Sequence, residues 1–396
     1  MLRFLTAGES HGPSLSVIVE GLPAGLAISE ETVSGELARR RLGYGRGPRM
    51  RFERDVVRLI GGVRHGRTLG SPVSIEILNT EWPKWEQEMS AAPGTPSKKL
   101  TAPRPGHADL AGMQKYGFDD ARDVLERASA RETAARVAAG SLAKALLATI
   151  DVAIVSHIIR IGEATSPDGV RPKVSDLDRI DLSEVRCFDA GTEAAMIAEI
   201  KAAAKVGDSL GGVAEVIAYG VPVGLGSYVH WDRKLDGLLA GALMSIHAVK
   251  AVEIGDGMIQ ASQRGSVAHD AIARDESFVL GGGYIRRSDH AGGLEGGVSS
   301  GAPIIAKVAM KPLATLNRPV LETVDVATGE STVSFKERTD VTAVPAMGVV
   351  AESMMALVLA NEALRKFGGD SVEEFTRNER SYVAALGDVV SGPRAE

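Results

Sequence analysis

The stretch ERASARETAARVAAGSLAKALLATI at residues 126–150, followed directly by DVAIVSHIIRI at 151–161, decides the fold class. Ser129 with Glu132 three residues on has the form of a capping box, which predicts a helix N-terminus at Ser129 and a helix running to about Ile150. A shorter helical piece from about Ala121 breaks near Ala128, and Val152–Ile161 reads as a strand. Upstream, Leu15–Val19 alternates apolar and polar residues and predicts a strand. Ser29 opens a helix to about Leu42 with acidic residues in its first turn and three arginines in its last, an order that suits the helix dipole. Val56–Ile60 and Pro72–Leu78 predict further strands, and the proline- and glycine-rich residues 90–106 predict a loop. Downstream, Thr192–Lys205 reads as a helix, Gly212–Tyr219 as a strand, Asp232–Val249 as a helix, Ile304–Met310 as a strand and Gly348–Phe367 as an apolar helix. Strands and helices mixed in this way give an α/β or α+β body, and the lack of a sharp composition shift favours one large domain over residues 1–385 with a loose tail at 386–396.

Charge and composition narrow the function. With 45 Lys+Arg against 51 Asp+Glu the net charge is −6, which disfavours a nucleic-acid partner. No apolar run of bilayer-spanning length stands out, and the N-terminus lacks the apolar stretch of a signal peptide. A single cysteine, Cys187, excludes an internal disulfide and a cysteine-rich metal site, so the expectation is a soluble cytoplasmic protein without a membrane partner. The histidines show no ligand-spaced pairs, so no metal is expected.

Several clusters could carry chemistry. Gly8-Glu-Ser10-His11-Gly12 places a histidine between flexible residues, able to act as acid or base near neutrality; a surface turn is the plainer reading. Arg39, Arg40, Arg41, Arg46, Arg49, Arg51 and Arg54 concentrate guanidinium groups that suit phosphate or carboxylate, although an RNA-contacting patch would have the same composition. Arg127 and Arg131 flank the helix start at Ser129, where free amides favour an anion. His107 ends the proline-rich loop, and that loop is a candidate lid. The glycine pairs of residues 292–301, followed by a strand and then by Lys311 and Thr315, would let backbone approach a flat ring or a phosphate. Arg338 and Asp340 pair a cation with a carboxylate two residues away. Gly61–Thr68 has phosphate-loop spacing, but Arg67 replaces the lysine and no helix follows. Gly43-Tyr-Gly45-Arg-Gly47 lacks the strand–turn–helix context of a dinucleotide fingerprint.

Taken together, GESHGPSLSVIVEGLP, RPGHADLAG, ERASARETAARVAAGSL, VEIGDG, SDHAGGLEGGVSSG, KPLAT and RTDVTAVPAMGVVAE occur in an order that resembles the chorismate synthase family over residues 1 to 385. Thr339 stands where that family usually has Ser or His, with Arg338 and Asp340 on either side retained. The resemblance implies an α+β sandwich with a helical layer between two antiparallel sheets, assembled as a homotetramer. It implies a carbon–oxygen lyase that removes phosphate from 5-enolpyruvylshikimate-3-phosphate by 1,4-anti elimination, needing reduced FMN, with NADPH or an external flavin reductase as sources of reducing equivalents. By the same resemblance His11, His107, Asp340, Ser10 and Ser129 are catalytic, and Arg40, Arg46, Arg49 and Arg131 hold substrate anions. Arg127, Ala128, Ser129, His247, Ala248, Gly296, Lys311, Pro312, Leu313, Ala314, Thr315 and Arg338 form the flavin site. Two rival readings are an RNA-binding module built on the arginine cluster and a phosphosugar transferase without flavin.

Overall fold

The computed structural model describes residues 1–46, 55–318, 320–335 and 339–391, the side chains of 387–391 excepted. Two antiparallel sheets enclose a layer of helices. The first sheet is built from β1 (Arg3–Ala7), β2 (Ser14–Glu20), β3 (Val56–Gly61) and β4 (Val73–Leu78) in the order β1-β2-β4-β3. Its register sets Leu5 opposite Ile18 and Val17 opposite Ile75. Because successive side chains alternate between faces, Leu15, Val17, Val19, Ile75 and Ile77 all point inward and are buried. The second sheet contains β5 (Ala153–Ile161), β6 (Gly212–Tyr219), β7 (Val249–Ile254) and β8 (Ile304–Met310) in the order β7-β8-β6-β5, with Ala164–Thr165 at the edge. Its inner face presents Ile158, Ala214, Val216, Ala306 and Val308 to the same core.

The layer between the sheets consists of α1 (Glu30–Arg41), α4 (Thr133–Ala148) and α7 (Val344–Phe367), with α4 on the first sheet and α7 on the second. Where α4 and α7 cross, a Cβ on Gly140 would lie 2.3 Å from Cβ of Ser353, so only glycine allows this approach. A fully buried carboxylate, Glu352 on α7, ties the layer together. It accepts from Arg39 of α1 at 2.7 Å, Lys144 of α4 at 2.6 Å, Ser156 of β5 at 2.7 Å and Arg186 at 3.1 Å. Burial alone would raise the Glu352 carboxyl, but Arg39, Lys144 and Arg186 hold it well below the usual carboxylate range.

Some sequence expectations need correction. Ser129 does start a helical segment, but its Oγ accepts from the Arg131 amide at 3.3 Å and a 3-10 turn (Ala130–Glu132) precedes α4. The reciprocal half of the capping box is replaced, since the Glu132 carboxylate accepts from Thr6 Oγ1 at 2.8 Å and from Arg136 Nε at 2.8 Å. The helix expected over 232–249 is shorter, α6 (Leu235–Met244): a 3-10 turn at Trp231–Arg233 precedes it, and after it the chain turns, with Ala248 at φ +63°, into β7. The segment before Ser129 is α3 (Arg122–Ala128), and a helix not anticipated, α2 (Asp109–Tyr116), follows His107. The helix α5 (Ala190–Val206) slightly exceeds its expected bounds. The final helix, α8 (Val372–Ser391), continues into the stretch expected to be a loose tail. By length and composition α7 could span a bilayer, contrary to the absence of such a run expected from sequence, but 89% of its most apolar window is buried inside the protein. It is a core helix.

Candidate active site

The turn between β1 and β2 lies along α3 and the start of α4. The Ser10 amide donates to the Glu126 carbonyl at 2.9 Å, and Ser129 Oγ donates to Ser10 Oγ at 3.2 Å. His11 is fixed three ways: its amide donates to Glu126 Oε2 at 2.9 Å, its Nδ1 lies 2.9 Å from Glu126 Oε1, and its ring stacks on Trp85 at 4.0 Å. Burial would raise the Glu126 carboxyl, but the hydrogen bond from His11 and the nearby Arg122 keep it below its ordinary value. An ionised carboxylate only accepts, so Nδ1 of His11 carries a proton and Nε2 is left for chemistry.

Beside this dyad lies a cluster of arginines. Arg40 and Arg131 are both buried and share the carboxylate of Asp55 with Arg41. Arg131 Nε also donates to Asn79 Oδ1 at 3.1 Å, while the Asn79 amide group donates to the Gly12 carbonyl at 2.6 Å. Asn79 therefore couples the arginine cluster to the histidine turn. Arg46 lies 3.2 Å from Asp340, and the Val341 amide donates to the Gly45 carbonyl at 2.8 Å, so the 339–341 segment runs against residues 45–46.

The second histidine dyad is His107 with Asp109, whose Oδ1 lies 2.5 Å from His107 Nδ1. Asp109 is fully buried at the first position of α2. Desolvation would raise it, but hydrogen bonds from His107 and Arg104 hold it well below the usual range. Arg104 also donates to Thr315 Oγ1 at 2.9 Å, and Lys311 Nζ donates to the Gly106 carbonyl. The 311–315 turn is anchored in addition by Lys311 N to Ala248 O at 3.0 Å and by Ser209 Oγ to Leu313 O at 2.8 Å. Residues 100–107 are therefore pinned, whereas residues 90–99 are exposed.

His247 joins the two halves. Its Nδ1 is buried without a hydrogen-bond partner among the described residues and lies 3.9 Å from Glu132 Oε2. Burial, reinforced by the charges of Arg136, His107 and Arg127, pushes His247 below its ordinary value against the pull of Glu132, favouring the neutral ring. Arg127 donates to the carbonyls of Gly8 and Thr6, each at 3.0 Å, and so holds the first turn against α3.

The structure therefore brings together Ser10, His11, Arg127, Ala128, Ser129, His107, His247, Ala248 and the 311–315 turn, with Arg40 and Arg131 at Asp55 and Arg46 at Asp340. Gly296 lies apart in the hairpin beside Tyr228 and the start of α6, and no described contact joins it to this group. Arg49 and Arg338 fall outside the described residues.

A sequence profile described as chorismate synthase matches residues 2–364. The chain is 57% identical to the chorismate synthase of Thermobifida fusca (strain YX), covering 98% of this chain and 99% of that one. It is 59% identical to the chorismate synthase of Streptomyces coelicolor, covering 97% and 98%. The chain belongs to the chorismate synthase family. A solved structure titled "Crystal Structure of Chorismate Synthase" superposes with a TM-score of 0.78 at 39% identity, covering 98% of both chains, and the layered α+β architecture is the one expected of a chorismate synthase.

For a chorismate synthase, the residues overlooked in the sequence are the ones that orient the histidines. Glu126 and Asp109 were within reach, since one begins the motif quoted above and the other stands two residues after His107. Asp55, Asn79 and Trp85 carry no local signal, because their partners Arg131, Gly12 and His11 are distant in sequence.

Proposed function

We propose that this chain is a cytoplasmic lyase that removes phosphate from 5-enolpyruvylshikimate-3-phosphate to give chorismate, with reduced FMN as its resident cofactor. The single observation that carries this reading is the His11–Glu126 dyad set beside buried arginines: a proton donor next to groups that attract anions. Such a pairing neutralises a departing phosphate, which is where charge develops in the elimination. Arg40, Arg46 and Arg131 hold the substrate's phosphate and carboxylates, and Nε2 of His11 delivers a proton to the phosphate oxygen as the C–O bond breaks. Ser129 and Ser10 keep the turn that carries His11 in place through their 3.2 Å hydrogen bond. The C6 proton leaves on the side of Asp340, whose carboxylate is positioned by Arg46.

The orphaned Nδ1 of His247, the cationic groups of Arg127 and Lys311 and the glycine- and proline-shaped turns at 104–107 and 311–315 fit a flavin. When bound, reduced FMN supplies an electron-rich ring that stabilises electron deficiency on the substrate. Arg127, Ala128, Ser129, His247, Ala248 and Lys311 to Thr315 would hold it, and His107, oriented by Asp109, would bear on its protonation. NADPH or a separate reductase would supply the electrons. Residues 1–385 work as one domain in this reading, and homotetramer assembly has support in the outer face of the first sheet, where Leu5 is 75% exposed and Ile60 61%. The test is His11→Ala: FMN binding stays near wild type while turnover falls by about two or more orders of magnitude. Wild-type turnover in that variant would remove His11 from the mechanism.

A further inference from the structure

A second cavity, of about 640 Å³, lies between α8 and the turn at residues 274–284. Its size falls in the ordinary small-molecule range of roughly 300–1,000 Å³. The turn between α4 and β5 floors it with Ile150 and Asp151, Val279 forms one wall, and α8 supplies Glu379, Arg380 and Val383. None of His11, His107, His247 and Asp340 lines the cavity.

Glu379 is only 7% exposed, yet it makes no hydrogen bond or ion pair with any described residue. Burial pushes its carboxyl up; Arg380 opposes this and the Asp151 carboxylate adds to it. The stem of Glu379 is packed away while its unpartnered carboxyl oxygens stay accessible at the cavity, where a charged or hydrogen-bonding group can meet them. Two carboxyl groups facing one cavity favour a cation, and the apolar wall favours one carried on an apolar body over a hydrated metal ion. At the rim, Arg274 is already paired with Glu276 at 2.7 Å, whereas Arg380 has no carboxylate partner among the described residues. An ammonium site, a guanidinium and an apolar wall within one cavity define a zwitterion.

We propose that this cavity binds a free α-amino acid with a large apolar side chain. The ammonium sits on Glu379 and Asp151, the carboxylate on Arg380, and the side chain against Ile150, Val279 and Val383. The helix α4 begins beside the catalytic turn, and the residues that directly follow its C-terminus, Thr149 to Asp151, line this cavity. The test is isothermal titration calorimetry on the full chain with L-phenylalanine, 3-phenylpropionate and phenethylamine. Saturable binding of one L-phenylalanine per chain is expected, with each single-charge analogue at least tenfold weaker. Glu379→Gln, and separately the rim variant Arg380→Ala, weaken L-phenylalanine at least tenfold. Absence of saturable heat from L-phenylalanine at millimolar concentration overturns the proposal, as does unchanged affinity in Arg380→Ala. Neither result bears on the lyase reaction, which is assayed separately.

Discussion

Replacing Glu126 with glutamine tests whether the histidine dyad is functional machinery or local packing. Glu126 accepts from the His11 amide at 2.9 Å, from His11 Nδ1 at 2.9 and 3.0 Å and from Arg122 at 3.1 Å. Glutamine has the same shape but offers one oxygen and one NH2 group, so a donor must face either the His11 amide or Nδ1. At least one charge-assisted hydrogen bond is lost, worth about 1.5–3 kcal/mol. At 1.4 kcal/mol per factor of ten, turnover should fall roughly 10- to 100-fold if that bond supports His11 as proton donor. Flavin affinity should not change, because His247, Lys311 and the 311–315 turn are untouched. Arg122 keeps its place over Trp85 at 5.0 Å and near Glu88 at 3.8 Å, so local packing survives. The assay is anaerobic chorismate formation, with kcat and KM determined separately, alongside FMN titration and a melting curve. Turnover within twofold of wild type would refute the dyad. A parallel loss of FMN binding and thermal stability would refute the specific role and leave only a structural one.

Three further outcomes follow from the packing. Glu352→Gln strands Arg39, Lys144 and Arg186 around a neutral amide and should cost about 3–5 kcal/mol in denaturant unfolding. Because the folded-state carboxyl lies below its ordinary value of 4.5, the stability Glu352 contributes is present above that pH and lost as acid is added, so the difference between variant and wild type should shrink toward low pH. Gly140→Ala should lower stability although alanine gains about 1 kcal/mol of helix propensity, because overpacking against Ser353 costs about 1–3 kcal/mol; a raised melting temperature would contradict the crossing geometry. Protease cleavage within the exposed residues 90–99 should slow when FMN and substrate are bound, and an unchanged rate would show that this loop is not a lid.

Local signals in the sequence located most helices and strands, since strand alternation, the Ser29 cap and the acidic-to-basic order of α1 are short-range features that survive in the fold. They failed where tertiary contacts override them. Glu132 forms no capping box because Thr6 and Arg136 take its carboxylate. The helix at 235–244 ends before the expected 249 because Val249 already pairs in β7, and the chain between them turns, with Ala248 left-handed. The layered order of the sheets came from the family resemblance, since nothing local says which strand pairs with which. For the site, the histidines and arginines could be read from their glycine-framed or clustered settings. Their partners could not, because a residue such as Asp55 or Asn79 acquires meaning only when folding brings Arg131 beside it.

The most direct measurement is an anaerobic assay of the purified chain with reduced FMN and 5-enolpyruvylshikimate-3-phosphate, following chorismate absorbance. The account predicts chorismate and phosphate released in equal amounts only when reduced FMN is present, at a rate that His11→Ala cuts by about two orders of magnitude or more. No chorismate from folded, flavin-loaded protein would contradict it.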